Sequence, residues 1–174
     1  MKEQIKNLRI KIDGLAQLTK GLEVLIGYSF EGQEVYGNSK EIEKSVDSLY
    51  LAKAWLGKVL GELGQHNPYG SGYKTKEDIV STQDVYVKPE NEVSDYSQLY
   101  NHIEKVDWLR TEIQKLDTKV HDLVYSRSSD IGLLNKTEGY YRALSLMEGT
   151  VRQHLSEARF WLGFEMERIK NENN

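Results

Sequence analysis

The chain has no cysteine and only two prolines among its 174 residues. Without cysteine it can form no disulfide framework, thiolate metal site or cysteine nucleophile. The scarcity of proline permits long helices and argues against a loop-rich chain. No run approaches the roughly 18 consecutive apolar residues of a membrane-spanning helix, and the N-terminus lacks the apolar segment of a signal peptide. We therefore expect a cytoplasmic protein that does not enter a membrane.

Positive charges are also slightly outnumbered by negative charges. Lysine and arginine number 23 against 27 aspartates and glutamates, which gives a net charge of −4 and a pI near 5.6. A long nucleic acid requires a basic surface, so we do not expect one as a partner. Among the aromatic residues, 11 are tyrosine, three tryptophan and three phenylalanine. Tyrosine combines an apolar ring with a polar tip, which suits surfaces and ligand pockets.

Sequence motifs of catalysis and metal binding are absent. No glutamate has a histidine three residues later, as a ferritin-like metal site would require. The phosphate-binding, dinucleotide-binding, zinc-protease and nucleophile-elbow motifs do not occur either. The carboxylate pair Glu165 and Glu167 is expected on an exposed helix face. The sequence therefore predicts a protein that is not an enzyme and that has no metal and no cofactor.

Helical periodicity is the strongest positive signal. Apolar residues alternate at spacings of three and four in two stretches, as on one face of a helix. The first stripe is Ile5, Leu8, Ile12, Leu15, Thr19, Leu22 and Ile26, and the second is Val106, Leu109, Ile113, Leu116, Val120 and Leu123. The two stripes superpose at a constant offset of 101 residues.

A second match supports an internal repeat. The pattern Leu-x-x-Ala-x-x-Trp-Leu-Gly at 49–57 recurs at 155–163, an offset of 106 residues. Because tryptophan and glycine are rare, we interpret the match as a duplication in which each copy is a helical hairpin. The tryptophans and glycines of this pattern are expected where helices cross closely. The alternative is that Trp55 and Trp161 form a wall against a ligand or partner.

We therefore predict an all-α protein in which two tandem helical hairpins form a four-helix-bundle-like unit. Helices are expected near 3–26, 39–64, 96–124 and 135–171. The hairpins at 1–64 and 96–174 would form one cooperative domain, joined by a long irregular connection at 65–95 that contains both prolines.

The tips of the two hairpins are the candidate binding sites. A helix start offers unpaired N–H groups and the positive end of the helix dipole, which attract anions. Tyrosine rings can stack on a base and cations can bind phosphate, so the tips suit a small anionic nucleotide. The alternative is that these are ordinary polar helix starts. The candidate residues are Tyr28, Tyr36, Lys40 and Lys44 at the first tip, and Arg127, Lys136, Tyr140, Tyr141 and Arg142 at the second.

The segment SVDSLYLAKAWLGKVLGELG at 45–64 resembles the second helix of phage-encoded helical-hairpin anti-defence proteins, and VRQHLSEARFWLGFEMERI at 151–169 echoes it. Members of that group counter the bacterial CBASS and Thoeris systems. They oligomerise and sequester cyclic oligonucleotides or cyclic ADP-ribose isomers without cleaving them. The resemblance implies a homo-oligomeric sponge for a cyclic nucleotide in the host cytoplasm. The alternative is a helical interaction or assembly protein with no small-molecule ligand.

Overall fold

The structure, a computed structural model, describes residues 1–65, 102–128 and 137–172. Most of the predicted connection at 65–95, the predicted helix start at 96 and Lys136 lie outside the described residues. The described elements confirm the all-α class. They are the helices α1 Lys2–Lys20, α2 Lys40–Glu62, α3 His102–Ser128, α4 Glu138–Leu146 and α5 Arg152–Glu172, the strands β1 Val24–Tyr28 and β2 Glu34–Gly37, and a π-helical turn Met147–Val151 between α4 and α5.

Helices α1 and α2 pack side by side in opposite directions. The Nε of Arg9 donates to the carbonyl oxygen of Lys53 at 3.3 Å, and the Nε2 of Gln17 donates to the hydroxyl of Tyr50 at 3.1 Å. The residue numbers of the partners decrease along α2 as those along α1 increase, so the two helices are antiparallel.

Helices α3 and α5 pair in the same way. The Nη1 of Arg110 lies 3.3 Å from the sulfur of Met166 near the start of α3, and Asp117 accepts from the Nε of Arg152 at 2.7 Å further along. Helix α5 packs closely on α2 and runs antiparallel to it, because Ser39 hydrogen-bonds Glu165 and Ser45 hydrogen-bonds the carbonyl oxygen of Ala158. Helices α1 and α3 touch more loosely. The four long helices therefore lie in the order α1, α2, α5, α3 around the core.

Both apolar stripes are buried in this core, as predicted, with one exception. Every member of the second stripe is buried, and so is every member of the first stripe up to Leu22. Ile26, the last predicted member, is exposed instead. Leu56 and Leu162 of the repeated pattern are fully buried.

The prediction that the first helix continues to residue 26 is wrong. Helix α1 ends at Lys20, and β1 and β2 follow as an antiparallel hairpin with an extra residue between Leu25 and Gly27. Val24, Ile26 and Val35 are β-branched residues that favour strands. Gly32 adopts a φ of 78° in the turn, a left-handed conformation that glycine reaches without strain.

The fourth predicted helix also differs from the structure. It was expected to run without interruption over 135–171, but the π turn divides it into α4 and α5. The turn contains Gly149 and the β-branched Thr150 and Val151, which are weak helix formers. Helix α3 extends to Ser128, four residues beyond the predicted end.

The two halves share one unusual contact. A Cβ at Gly57 would lie 3.6 Å from the guanidinium of Arg9, and a Cβ at Gly163 would lie 3.7 Å from that of Arg110. These four residues are related by the offsets of the sequence repeat. The glycines therefore make room for an arginine of the paired helix, rather than for the close backbone crossing that we expected. A common origin of the two halves stays a prediction.

Candidate functional site

The candidate residues of the first tip lie at the end of the bundle where α2 begins. Tyr28 and Tyr36 stand on the β-hairpin with 67% and 57% of their surface exposed. The Tyr36 hydroxyl donates to Glu34 at 2.7 Å, and this hydrogen bond with the nearby negative charge raises the tyrosine pKa. Lys44 places its Nζ 3.7 Å from the ring centroid of Trp161, a cation–π contact. Lys40 is exposed at the first residue of α2.

At the second tip, one candidate residue belongs to the core. Tyr140 is buried, so its ring cannot offer an open face to a nucleotide base, whereas Tyr141 is exposed. Arg142 forms salt bridges with Glu138 at 2.9 Å and with Glu62 at 3.8 Å, which offset its positive charge. Arg127 is partly buried near the end of α3.

The structure does not bring the two tips together. Ser39, at the start of α2, hydrogen-bonds Glu165 near the end of α5. Gly139, at the start of α4, lies against Glu62 at the end of α2. Helix α2 has 23 residues, and at 1.5 Å per residue its ends are about 34 Å apart. Within one copy, the two tips therefore cannot contact one small ligand together.

The β-hairpin is the most exposed apolar part of the described chain. We call residues 23–37 the hairpin arm. Its exposed large apolar side chains are Leu25, Ile26, Tyr28, Phe30, Val35 and Tyr36. The arm contains the three glutamates Glu23, Glu31 and Glu34 and no lysine or arginine. The arm is therefore both apolar and acidic.

The base of the arm is fixed to the bundle. Leu22 is buried, and the Nδ2 of Asn38 donates to the carbonyl oxygens of Lys20 at 2.9 Å and of Leu22 at 2.7 Å. Beyond this base, β1 and β2 contact mainly each other. The bonded base holds an arm whose outer surface is open to solvent.

A groove lies between α1 and α3, where these two helices pack loosely. Its cavity measures about 460 Å³. The buried Leu8 and Leu123 form an apolar floor. Lys11 and Lys119 contribute two exposed positive charges and Asp122 one exposed negative charge, so the lining carries a net charge of +1. Within the described ranges neither lysine forms a salt bridge. We call this the α1–α3 groove; its lining residues are Gln4, Asn7, Leu8, Lys11, Lys119, Asp122, Leu123 and Ser126.

A buried carboxylate supports the end of the bundle that carries the arm. Glu165 accepts hydrogen bonds from Ser39 at 2.7 Å, from His102 at 3.1 Å and from Arg168 at 2.7 Å. Burial raises its pKa, but the hydrogen bonds from His102, Arg168 and Ser39 outweigh burial and lower the pKa to about 2. The side chain of Ser39 also caps α2 by accepting from the N–H of Ile42. Glu165 thus joins the starts of α2 and α3 to α5.

The prediction that Glu165 lies on an exposed face is wrong, although Glu167 is exposed as expected. A signal for its burial was present in the sequence. Leu155, Ala158, Leu162 and Glu165 follow spacings of three, four and three, so Glu165 continues the apolar stripe of α5.

No protein-family model matches the chain, and no curated protein or solved structure matches it either. Of the helices within the described ranges, none combines the length and apolar character that crossing a membrane requires. No matched relative therefore indicates what this chain does.

Proposed function

We propose that this chain is an interaction protein that assembles with copies of itself through the hairpin arm. The observation that carries the proposal is the exposure of six large apolar side chains on the arm. Contiguous exposed apolar surface of this kind is typical of protein–protein contact sites. A two-stranded hairpin is also only marginally stable alone in water, and its open strand edges are available for pairing.

Charge favours a second copy as the partner. The arm is acidic, and the same chain carries two lysines with no described salt bridge in the α1–α3 groove. An acidic apolar arm and a concave surface on which two lysines outnumber the one carboxylate, Asp122, are complementary in charge. Since both belong to one chain, self-assembly requires no further protein.

Sedimentation velocity over a wide range of protein concentrations tests this proposal. We expect the wild-type sedimentation coefficient to rise with concentration and the Phe30→Ser variant to remain monomeric. Phe160→Ser is the matched control, because Phe160 is an exposed phenylalanine on α5 rather than on the arm. A wild-type protein that stays monomeric throughout would overturn the proposal.

A second candidate function is sequestration of a small anionic cyclic nucleotide, as the resemblance to phage anti-defence sponges implies. The α1–α3 groove favours it, because a cavity of about 460 Å³ falls within the roughly 300–1,000 Å³ typical of ligand pockets. Its two lysines supply charge for phosphate. A cytoplasmic location in a phage-infected host is part of this second proposal.

Thermal shifts with cyclic di- and trinucleotides and cyclic ADP-ribose isomers test the second candidate. Sequestration predicts a raised melting temperature for one of these ligands and recovery of that ligand intact after denaturation. Lys11→Glu would abolish the shift if the groove is the site, whereas Lys44→Ala or Arg142→Ala would abolish it if a hairpin tip is. If no ligand changes the melting temperature, sequestration fails.

A further inference from the structure

We infer that the arm of one copy inserts Phe30 into the α1–α3 groove of the next copy, so that the chains associate head to tail. This inference rests on the proposed self-assembly and names the surface that receives the arm.

The turn of the arm presents Phe30 outward. Ser29 accepts from the N–H of Gly32 at 2.9 Å, and the N–H of Ser29 donates to the carbonyl oxygen of Gln33 at 2.7 Å. The Ser29 hydroxyl accepts from the N–H of Gln33 at 3.1 Å. These bonds fix the backbone on both sides of Phe30, whose ring is fully exposed. An anchoring side chain on an ordered turn loses little conformational entropy when it binds.

The α1–α3 groove has the chemistry to receive this turn. Its floor of Leu8 and Leu123 is apolar, as an aromatic ring requires. Glu31, next to Phe30, is exposed and acidic. Lys11 and Lys119 carry the opposite charge and outnumber the one carboxylate of the groove, Asp122. One turn therefore supplies both the apolar and the charged partner that the groove can bind.

The positions of arm and groove make the contact intermolecular. The groove is lined by the first half of α1 and the last part of α3. The arm follows the other end of α1, close to where α3 begins. Each copy thus has an arm at one end and a groove at the other. Contacts between unlike surfaces produce rings when they close and open chains when they do not.

Charge argues against the symmetric alternative, in which two arms pair with each other. Such a pair would bring together two acidic segments that contain no lysine or arginine. Like charges placed opposite each other in paired strands are destabilising. In the head-to-tail contact, Glu31 faces Lys11 and Lys119 instead.

Complementation between two variants tests the inference. Phe30→Ser leaves the groove intact and removes the anchoring side chain of the arm. Lys11→Glu/Lys119→Glu leaves the arm intact and reverses the charge of the groove. All three sites are exposed, so both variants are expected to fold, and circular dichroism checks this. Each variant alone should lose self-affinity by roughly tenfold or more. Mixed, they should form a one-to-one heterodimer and nothing larger, because only one arm and one groove remain functional.

An exchange of charges between the two surfaces provides a second test. Adding Glu31→Lys to Lys11→Glu/Lys119→Glu should restore self-association. If the groove variant alone still associates like the wild type, the arms pair symmetrically; the inference then fails while self-assembly through the arm survives. If the wild type never associates, the proposed function fails as well. Suppose that the wild type is monomeric and binds a cyclic nucleotide. Loss of this binding in the Lys11→Glu/Lys119→Glu variant would then assign the groove to a small ligand and likewise overturn the inference.

Discussion

Replacing Glu165 by glutamine tests how much the buried carboxylate contributes to stability. The pKa of Glu165 is lowered from 4.5 to about 2 in the folded chain. This lowering corresponds to about 3 kcal/mol, because one pKa unit is worth ~1.36 kcal/mol. Glutamine keeps the shape of the side chain and removes its charge. We therefore expect Glu165→Gln to reduce the free energy of unfolding by about 3 kcal/mol at neutral pH.

The effect should depend on pH with a definite sign. Since the folded pKa lies below the ordinary value, the contribution of Glu165 is complete above about pH 4.5 and disappears as pH falls towards 2. Urea unfolding followed by circular dichroism at several pH values measures it, with the exposed Glu167→Gln as control. We expect Glu165→Gln and Glu167→Gln to differ at neutral pH and to converge towards pH 2. Equal stability of the two variants at neutral pH, or a difference that does not shrink on acidification, would show that the ionised carboxylate of Glu165 does not stabilise the fold.

Further expectations concern packing and can be measured by the same unfolding assay. Gly139→Ala should destabilise the fold by about 1–3 kcal/mol, because a Cβ there would overlap the carbonyl oxygen of Glu62. Gly61→Ala, where a Cβ meets open space, should instead stabilise α2 by up to about 1 kcal/mol; a reversed order of these two variants would contradict the packing of α4 against α2. Leu56→Ala and Leu162→Ala should each cost about 2–5 kcal/mol because both side chains are fully buried, and a loss below about 1 kcal/mol at both would place the core elsewhere.

The helical part of the fold could be predicted because the buried face of a helix requires apolar residues at spacings of three and four. The stripes from Ile5 to Leu22 and from Val106 to Leu123 are buried as expected. The β-hairpin was missed because Ile26 extends the three-four spacing of the first stripe by chance. The strand preference of Val24, Val35 and Tyr36 is the competing signal, and it favours the β-hairpin that the structure shows.

The candidate sites were harder to predict because they depend on contacts between distant segments. Lys11 and Lys119 line the same groove only because α1 packs against α3. No local sequence pattern indicates that these two helices pack together. Tyr140 lies near a predicted helix start, where its ring is expected to stack on a base, yet its position in α4 buries the ring in the core. The place of Glu165 on the α5 stripe indicates its burial, whereas its residue type favours exposure.

Site-directed cross-linking tests the central claim of head-to-tail self-assembly most directly. The natural chain has no cysteine, so single cysteines can be placed at exposed Gln33 beside the arm's turn and at exposed Asn7 in the groove. We expect that mixing Gln33→Cys with Asn7→Cys under mild oxidation yields a disulfide-linked heterodimer, and that each variant alone cross-links far less. Efficient cross-linking of Gln33→Cys with itself, or no cross-link in the mixture, would contradict it.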